Sequence, residues 1–300
     1  KAEELVTPQG TIRVGMRYQR KAGSAEAVER WRYIGRSKND NAVMQDEFGN
    51  GYVMDTDKLV EEYDVLKTKE IKAKTPEGKE IAFNLEEVRE YWQEKYEKWG
   101  LKELAKAIPD TFTLTPKQER RIQELAETEG FDTMIIIPKD TKKHLGAIKT
   151  ATEKEVLGLA RDVQYNAAQG TWMSDTVKPY FPDQIETIER PQGAYLIFFK
   201  ETQEVDANTL GKSPDTLVQE YASKGLNGWA LEEALLCERD YTERHVLDAN
   251  PHMNTQSYSW LLNSRVQHQG AVRVLLVDWH SGDRQLIVFS DPPGDENSIV

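Results

Sequence analysis

The sequence predicts an α+β protein in three stretches: a strand-rich N-terminal part, a helical connector and a mixed C-terminal domain. Three observations lead there. Residues 10–83 alternate apolar and polar between turn residues, residues 84–130 carry helical periods with recognisable caps, and residues 131–300 mix short apolar runs with amphipathic helices before ending in a β-meander. The boundaries drawn from these changes are 1–83, 84–130 and 131–300.

In the first stretch, Thr11 to Arg20 sets Ile12, Val14, Met16 and Tyr18 against Arg13, Gly15, Arg17 and Gln19, the period of a half-buried strand. Arg30 to Ile34 repeats the pattern, with Trp31 and Tyr33 opposite Arg30 and Arg32. Ala42 to Asp46 and Tyr52 to Asp55 flank Asn50-Gly51, whose positive φ angles suit a tight hairpin. A helical turn over Asp57 to Glu62 then precedes a strand over Tyr63 to Leu66. Five short strands with one such turn before the last resemble an SH3-like small β-barrel, a likeness of strand spacing over about 55 residues and of no motif. A hairpin around Thr75-Pro76-Glu77-Gly78 extends the sheet.

The connector opens at Asn84, with Glu87 completing a capping box. Leu85, Val88, Tyr91, Trp92, Tyr96 and Trp99 then recur at helical steps, a stripe that belongs in a core. Thr115, Pro116 and Gly130 bracket a further helix as N-cap, first residue and stop. In the third stretch, Met134 to Pro138 and Gly193 to Phe199 read as buried strands. Helices are expected over Thr152 to Ala167, from Ser213-Pro214 to Gly225, and from Trp229 to Val246, followed by strands over Gln256 to Leu262, Ala271 to His280 and Arg284 to Ser290.

The chain has 300 residues, 38% hydrophobic and 30% charged, so a folded protein is expected and disorder throughout is not. Its longest apolar runs fall far short of the roughly 20 residues that span a bilayer, and Lys1-Ala2-Glu3-Glu4 carries no signal-peptide core. Lys1 is not a methionine, and Ile299-Val300 follows a polar stretch, which leaves room for a longer natural chain. The single cysteine, Cys237, excludes a disulfide framework and a multi-cysteine metal site, and a cytoplasmic setting is the expectation.

Net charge of −12 argues against a surface that is cationic throughout. The distribution is uneven. Arg13 to Lys38 holds eight cations against Glu26 and Glu29, and Asp40 to Glu70 then holds nine acids against three lysines. Arg13, Arg17, Arg20, Arg30, Arg32 and Arg36, with Tyr18, Trp31 and Tyr33, are therefore the candidate binding residues: arginine forks take phosphates or carboxylates and aromatic rings stack. The partner implied is a protein, an acidic polymer or a nucleic acid. Against this stands cross-strand pairing with the acidic strands that follow.

Chemistry-bearing motifs are sparse. Gly211-Lys212-Ser213 lacks the upstream glycine of a phosphate loop, where Asp206 stands, and Ser213 serves better as a helix cap. Asp55-Thr56-Asp57 has Val60 where a calcium loop requires glycine. Cys237 sits mid-helix among Ala234, Leu235 and Leu236, a setting for packing. His245, Asp248 and His252 lie within eight residues, followed by His268, Asp278 and His280, an alternative acid–base or metal cluster if the fold unites them. Helix-end and turn roles explain several of the six equally well. The expectation is a non-catalytic binding or assembly protein with no cofactor and no bound metal. A hydrolase built on the histidine cluster and nucleic-acid binding through the basic strands are the alternatives.

Overall fold

The computed structural model describes residues 4–7, 10–13, 17–20, 30–36, 41–45, 51–55, 63–65, 70–150, 171–188, 190–202, 207–245, 253, 258–280 and 285–294. The expected helical turn at 57–62 and the expected helix at 152–167 lie outside these residues, as do Asp248 and His252. Two compact units are present, Lys1–Lys69 and Glu70–Val300. Both helices and sheets build the chain, as an α+β protein requires.

In the smaller unit, β1 (Glu4–Thr7) and β2 (Gly10–Arg13) form a hairpin of their own. The strands β3 (Arg17–Arg20), β4 (Arg30–Arg36), β5 (Ala42–Gln45), β6 (Gly51–Met54) and β7 (Tyr63–Val65) make a five-stranded antiparallel sheet in the order β6-β5-β4-β3-β7. The run Thr11 to Arg20 is therefore two strands in two sheets. Gly15, which weakens a strand interior because it has no side chain to pack, falls in the interval. Among the described residues β6 and β7 are the two edges and no pairing joins them, so no closed barrel forms. Tyr33, Ala42 and Met44 are fully buried, with Tyr33 and Met44 directly opposite across β4 and β5.

The larger unit begins with the hairpin β8 (Glu70–Lys74) and β9 (Glu80–Asn84), turned by Gly78 at φ 89°. Asn84 caps α1 (Leu85–Lys98): its Oδ1 accepts the Glu86 and Glu87 amides and its Nδ2 donates to Glu87 at 3.3 Å. The expected aromatic stripe is buried at Trp92, Tyr96 and Trp99. It docks on β10 (Thr133–Ile137), where Trp92 Nε1 donates to the Met134 carbonyl at 2.9 Å and the Tyr96 hydroxyl to that of Ile136 at 2.8 Å. Both polar tips are thus satisfied inside the core, which lets large aromatics be buried without loss. A short α2 (Lys102–Lys106) follows, then α3 (Pro116–Glu129), which has a complete Thr115/Gln118 capping box and Gly130 at φ 74°. The helices expected as a connector contribute Trp92, Tyr96 and Leu104 to the same core as β10.

The remaining elements are β13 (Tyr195–Phe199), antiparallel to β10, then α4 (Pro214–Ser223) and α5 (Leu231–Arg244), and a five-stranded sheet. That sheet runs β11 (Thr171–Met173), β16 (Gln285–Asp291), β15 (Ala271–His280), β14 (Ser259–His268) and β12 (Glu186–Thr187), with β11 parallel to β16. The strand expected at Gln256 to Leu262 runs on to His268. There Gln269 and Gly270, at φ 52° and 82°, form the two-residue turn that matches strand twist. Leu261, Leu275, Val277, Trp279, Leu286 and Val288 join the core against α5, in which Leu231 to Thr242 is buried at all but one position. No helix among the described residues is long and apolar enough to cross a membrane.

Candidate functional site

A helix buried on every side must hide its charged residues as well as its apolar ones, and α5 carries Glu232, Glu233, Glu238, Arg239 and Asp240 at 4% exposure or less. An unpaired buried charge costs several kcal/mol, so each needs a partner from elsewhere in the chain. At the C-terminal end, Lys95 from α1 reaches Asp240 at 2.9 Å and Glu243 at 2.5 Å. Trp99 Nε1 also donates to Glu243, the Tyr91 hydroxyl donates to Asp240, and Arg244 forks onto Glu201 at 2.5 and 2.7 Å. Burial works against the Lys95 charge, but the attraction of Asp240 and Glu243 prevails and raises its pKa. This end is a closed lattice of ion pairs.

The N-terminal end differs because a cavity of about 450 Å³ opens beside it, a size suited to a small ligand. Its floor is Glu233. Arg190 binds that carboxylate with both arms of its fork, Nε to Oε1 at 2.5 Å and Nη2 to Oε2 at 2.7 Å. The Tyr195 hydroxyl donates to Oε1 at 2.6 Å and the Ala230 amide to Oε2 at 2.7 Å. Four donors use up a carboxylate's accepting positions. Burial, and then the adjacent Glu233 charge, push the Tyr195 phenol far above its ordinary range, so it stays protonated as a donor. Arg190 Nη2 also donates to the Gly228 carbonyl at 2.6 Å, which Asn263 Nδ2 shares at 2.8 Å. The walls are mainly apolar: Leu125 on α3 and Phe131 just after it, Tyr221 on α4, Leu226 and Trp229 before α5, and β13 itself. At the rim Lys224 pairs with Glu129 and Glu220 with Lys212, and Lys200 also lines the cavity.

All five residues of β13 line this cavity. A strand shows only alternate residues on either face, so five consecutive ones meet a cavity only along an edge. β13 pairs with β10 on its other side and with no further strand among the described residues.

No family model, curated protein or solved structure matches the chain.

The residues singled out from sequence are scattered. His245 ends α5, stacked on Tyr241 with ring centroids 4.1 Å apart and 3.4 Å from Glu201. His268 stands at the β14–β15 turn against Tyr180. Asp278 lies seven residues along β15 from Ala271, the register partner of His268, so about 23 Å separates them at about 3.3 Å per residue. His280, whose strand position alone is described, is further still. Among the described residues no group of three His, Cys, Asp or Glu is arranged to hold a metal ion. Cys237 is 5% exposed, and burial pushes its thiol pKa well up.

In the smaller unit, Tyr33 is core and presents no stacking surface. Arg17, Arg20, Arg30, Arg32, Arg36, Tyr18 and Trp31 are described by register alone. Arg17 stands opposite Arg32, Arg30 opposite Gln19, Arg32 also opposite Gln45, Arg36 opposite Ala42 and Arg20 opposite Tyr63. Arg13, in the other hairpin, stands opposite Glu4. None of the cavity residues was singled out from sequence, because the cavity joins segments from residue 125 to residue 233. The readable trace was Tyr195 to Phe199, an apolar strand expected to be fully buried whose first four residues are half-exposed.

Proposed function

We propose that the chain is a non-catalytic binding protein whose larger unit takes an apolar ligand into the cavity beside β13. The observation that carries this is the four-donor clamp on Glu233, with Lys224 paired to Glu129 and Glu220 to Lys212 at the rim. A carboxylate clamped by four donors has no lone pair to offer a substrate proton, whereas a rigid polar floor under apolar walls is what a binding cavity needs. The separation of His268 from Asp278 favours binding over hydrolysis, and one buried thiol fits a reducing, cytoplasmic setting. The test is 1-anilinonaphthalene-8-sulfonate fluorescence: about one bound dye per chain is expected, lost when Asn227, an exposed residue of the lining, is replaced in Asn227→Trp. Dye binding absent from the parent chain, or unchanged in the variant, overturns the reading.

A second reading concerns the smaller unit. Its strand order, in which β7 returns to pair with β3, supports assignment to the SH3-like small barrels. The register supports polyanion recognition by its arginines, because none of the five in the sheet faces an acid directly across a strand. Heparin binding that weakens steeply with salt and disappears in Arg17→Glu/Arg32→Glu is expected. Retention of binding in that variant removes these arginines from the function.

A further inference from the structure

The open edge of β13 narrows the class of ligand. In a two-stranded antiparallel pair, alternate residues of each strand turn their N–H and C=O groups away from the partner. The Phe199 carbonyl accepts the Asp132 amide, so Phe199 and, by alternation, Ile197 turn toward β10. The outward phase is Leu196 and Phe198, which both line the cavity and whose outward groups find no protein partner among the described residues. Unpaired backbone groups spaced along an extended strand are matched in spacing and polarity by another extended backbone. A small apolar molecule would fill the walls and leave those groups to water.

We infer that the cavity binds an extended peptide segment of a partner protein, added as a third strand beside β13, with uncharged apolar side chains at alternate positions. This inference rests on the binding reading given above. Two features select the occupant. Most charges around the cavity are held in pairs, Arg190 with Glu233, Lys224 with Glu129 and Glu220 with Lys212, so the site favours an uncharged segment. The cavity beside β13 is also lined by Tyr221 of α4, by Lys224 just after it and by Asn227 to Trp229, and its volume of about 450 Å³ admits one short segment rather than a further sheet edge. A second copy of this protein is a poor fit, since its own β13 lies behind the same walls. β13 spans five residues, about 16 Å at roughly 3.3 Å per residue, so four or five peptide residues engage the edge while flanking ones extend beyond it. The apolar wall residues Leu125, Phe131 and Leu226 then receive the side chains of one phase of the peptide.

The experiment uses the full chain and a fluorescein-labelled synthetic peptide of alternating valine and threonine, flanked by Ser-Gly pairs for solubility. Two further versions carry N-methyl groups, one on the valine amides and one on the threonine amides. Strand addition uses the amides of a single phase, so one methylated version should lose at least about tenfold in affinity and the other should bind nearly as well as the parent. Hydrogen exchange at residues 195–199 should slow on adding the parent peptide. Asn227→Trp and, independently, Asn208→Trp, both exposed lining residues, should abolish binding, with thermal unfolding used to confirm that each variant is folded. If both methylated versions bind alike, or the exchange at 195–199 is unaffected, strand addition is overturned. If the anilinonaphthalene dye binds in the cavity while no peptide does, the peptide inference falls and the binding reading stands. If neither binds, both fall.

Discussion

Gly228→Ala offers a direct measure of how tightly the cavity floor is tied to the sheet beneath it. Gly228 is buried, and its backbone needs no left-handed conformation, so the demand for glycine there is one of space alone. An added Cβ would meet Leu262 Cβ at 2.4 Å, Cγ at 2.8 Å and Cδ1 at 2.9 Å, three contacts closer than carbon atoms tolerate. Leu262 is 3% exposed and its strand is tied down by the Asn263 amide donating to the Trp229 carbonyl at 3.0 Å, so little can give. Overpacking of this kind costs about 1–3 kcal/mol. Any shift that relieves it pulls the Gly228 carbonyl from Arg190 and Asn263, bonds worth about 1.5–3 and about 1 kcal/mol. A net loss of about 3 kcal/mol is expected, which for a unit of this size lowers the melting temperature by about 6–12 °C. The assay is urea unfolding followed by tryptophan fluorescence, run as a double-mutant cycle. Leu262→Ala retains the Cβ at 2.4 Å and should not rescue Gly228→Ala. Leu262→Gly removes all three contacts and should show favourable coupling with it. A Gly228→Ala protein as stable as its parent, or one rescued equally by Leu262→Ala, refutes the reasoning.

Three further outcomes are expected. Burial, and then the neighbouring Glu233, raise the folded-state pKa of Glu232 above its unfolded value, so this group's stabilisation is full below about pH 4.3 and is lost as pH rises through the raised value. Glu232→Gln should therefore unfold at higher temperature than the parent at pH 7, with the gap closing towards pH 4; a variant destabilised at pH 7 contradicts this. Lys95→Met removes the cation that Asp240 and Glu243 share, leaving them Arg244 and Lys98, and should cost about 3 kcal/mol in the same urea assay, while a loss below about 1 kcal/mol would show the lattice to be redundant. Cys237 should resist Ellman's reagent in the native chain and react fully in denaturant, and prompt native labelling would show that α5 is not enclosed.

Local chemistry made much of the fold legible. The caps at Asn84, Thr115 and Ser213 and the stops at Gly130 and Gly225 stand where sequence put them, because capping depends on residues within one turn of the helix end. The aromatic stripe of α1 was readable for a similar reason: its 3.6 period needs no partner to be seen. The surroundings of α5 were not. Glu233, Asp240 and Glu243 look like the polar face of a surface helix, and partners such as Arg190, Tyr195, Tyr91 and Lys95, between 38 and 149 residues away in sequence, make their burial possible. The histidine cluster misled in the opposite sense, since nearness in sequence from His268 to Asp278 becomes distance once a hairpin straightens between them. The cavity was invisible because its walls come from segments with no shared local pattern.

The enclosure of α5 also constrains how this chain can diverge. A charged residue on a surface drifts alone, because water replaces whatever it touched. Inside this helix a change at Glu233 strands Arg190, and a change at Lys95 takes from Asp240 and Glu243 the one cation they share, so neither half of a pair varies without cost while the other remains. Substitutions here must arrive in step, as exchanges of whole pairs or as joint replacement by apolar residues of similar volume. Distant kin of this protein should therefore be recognisable by correlated change between positions 190 and 233, and among positions 95, 240 and 243, even where the rest of the sequence has been rewritten.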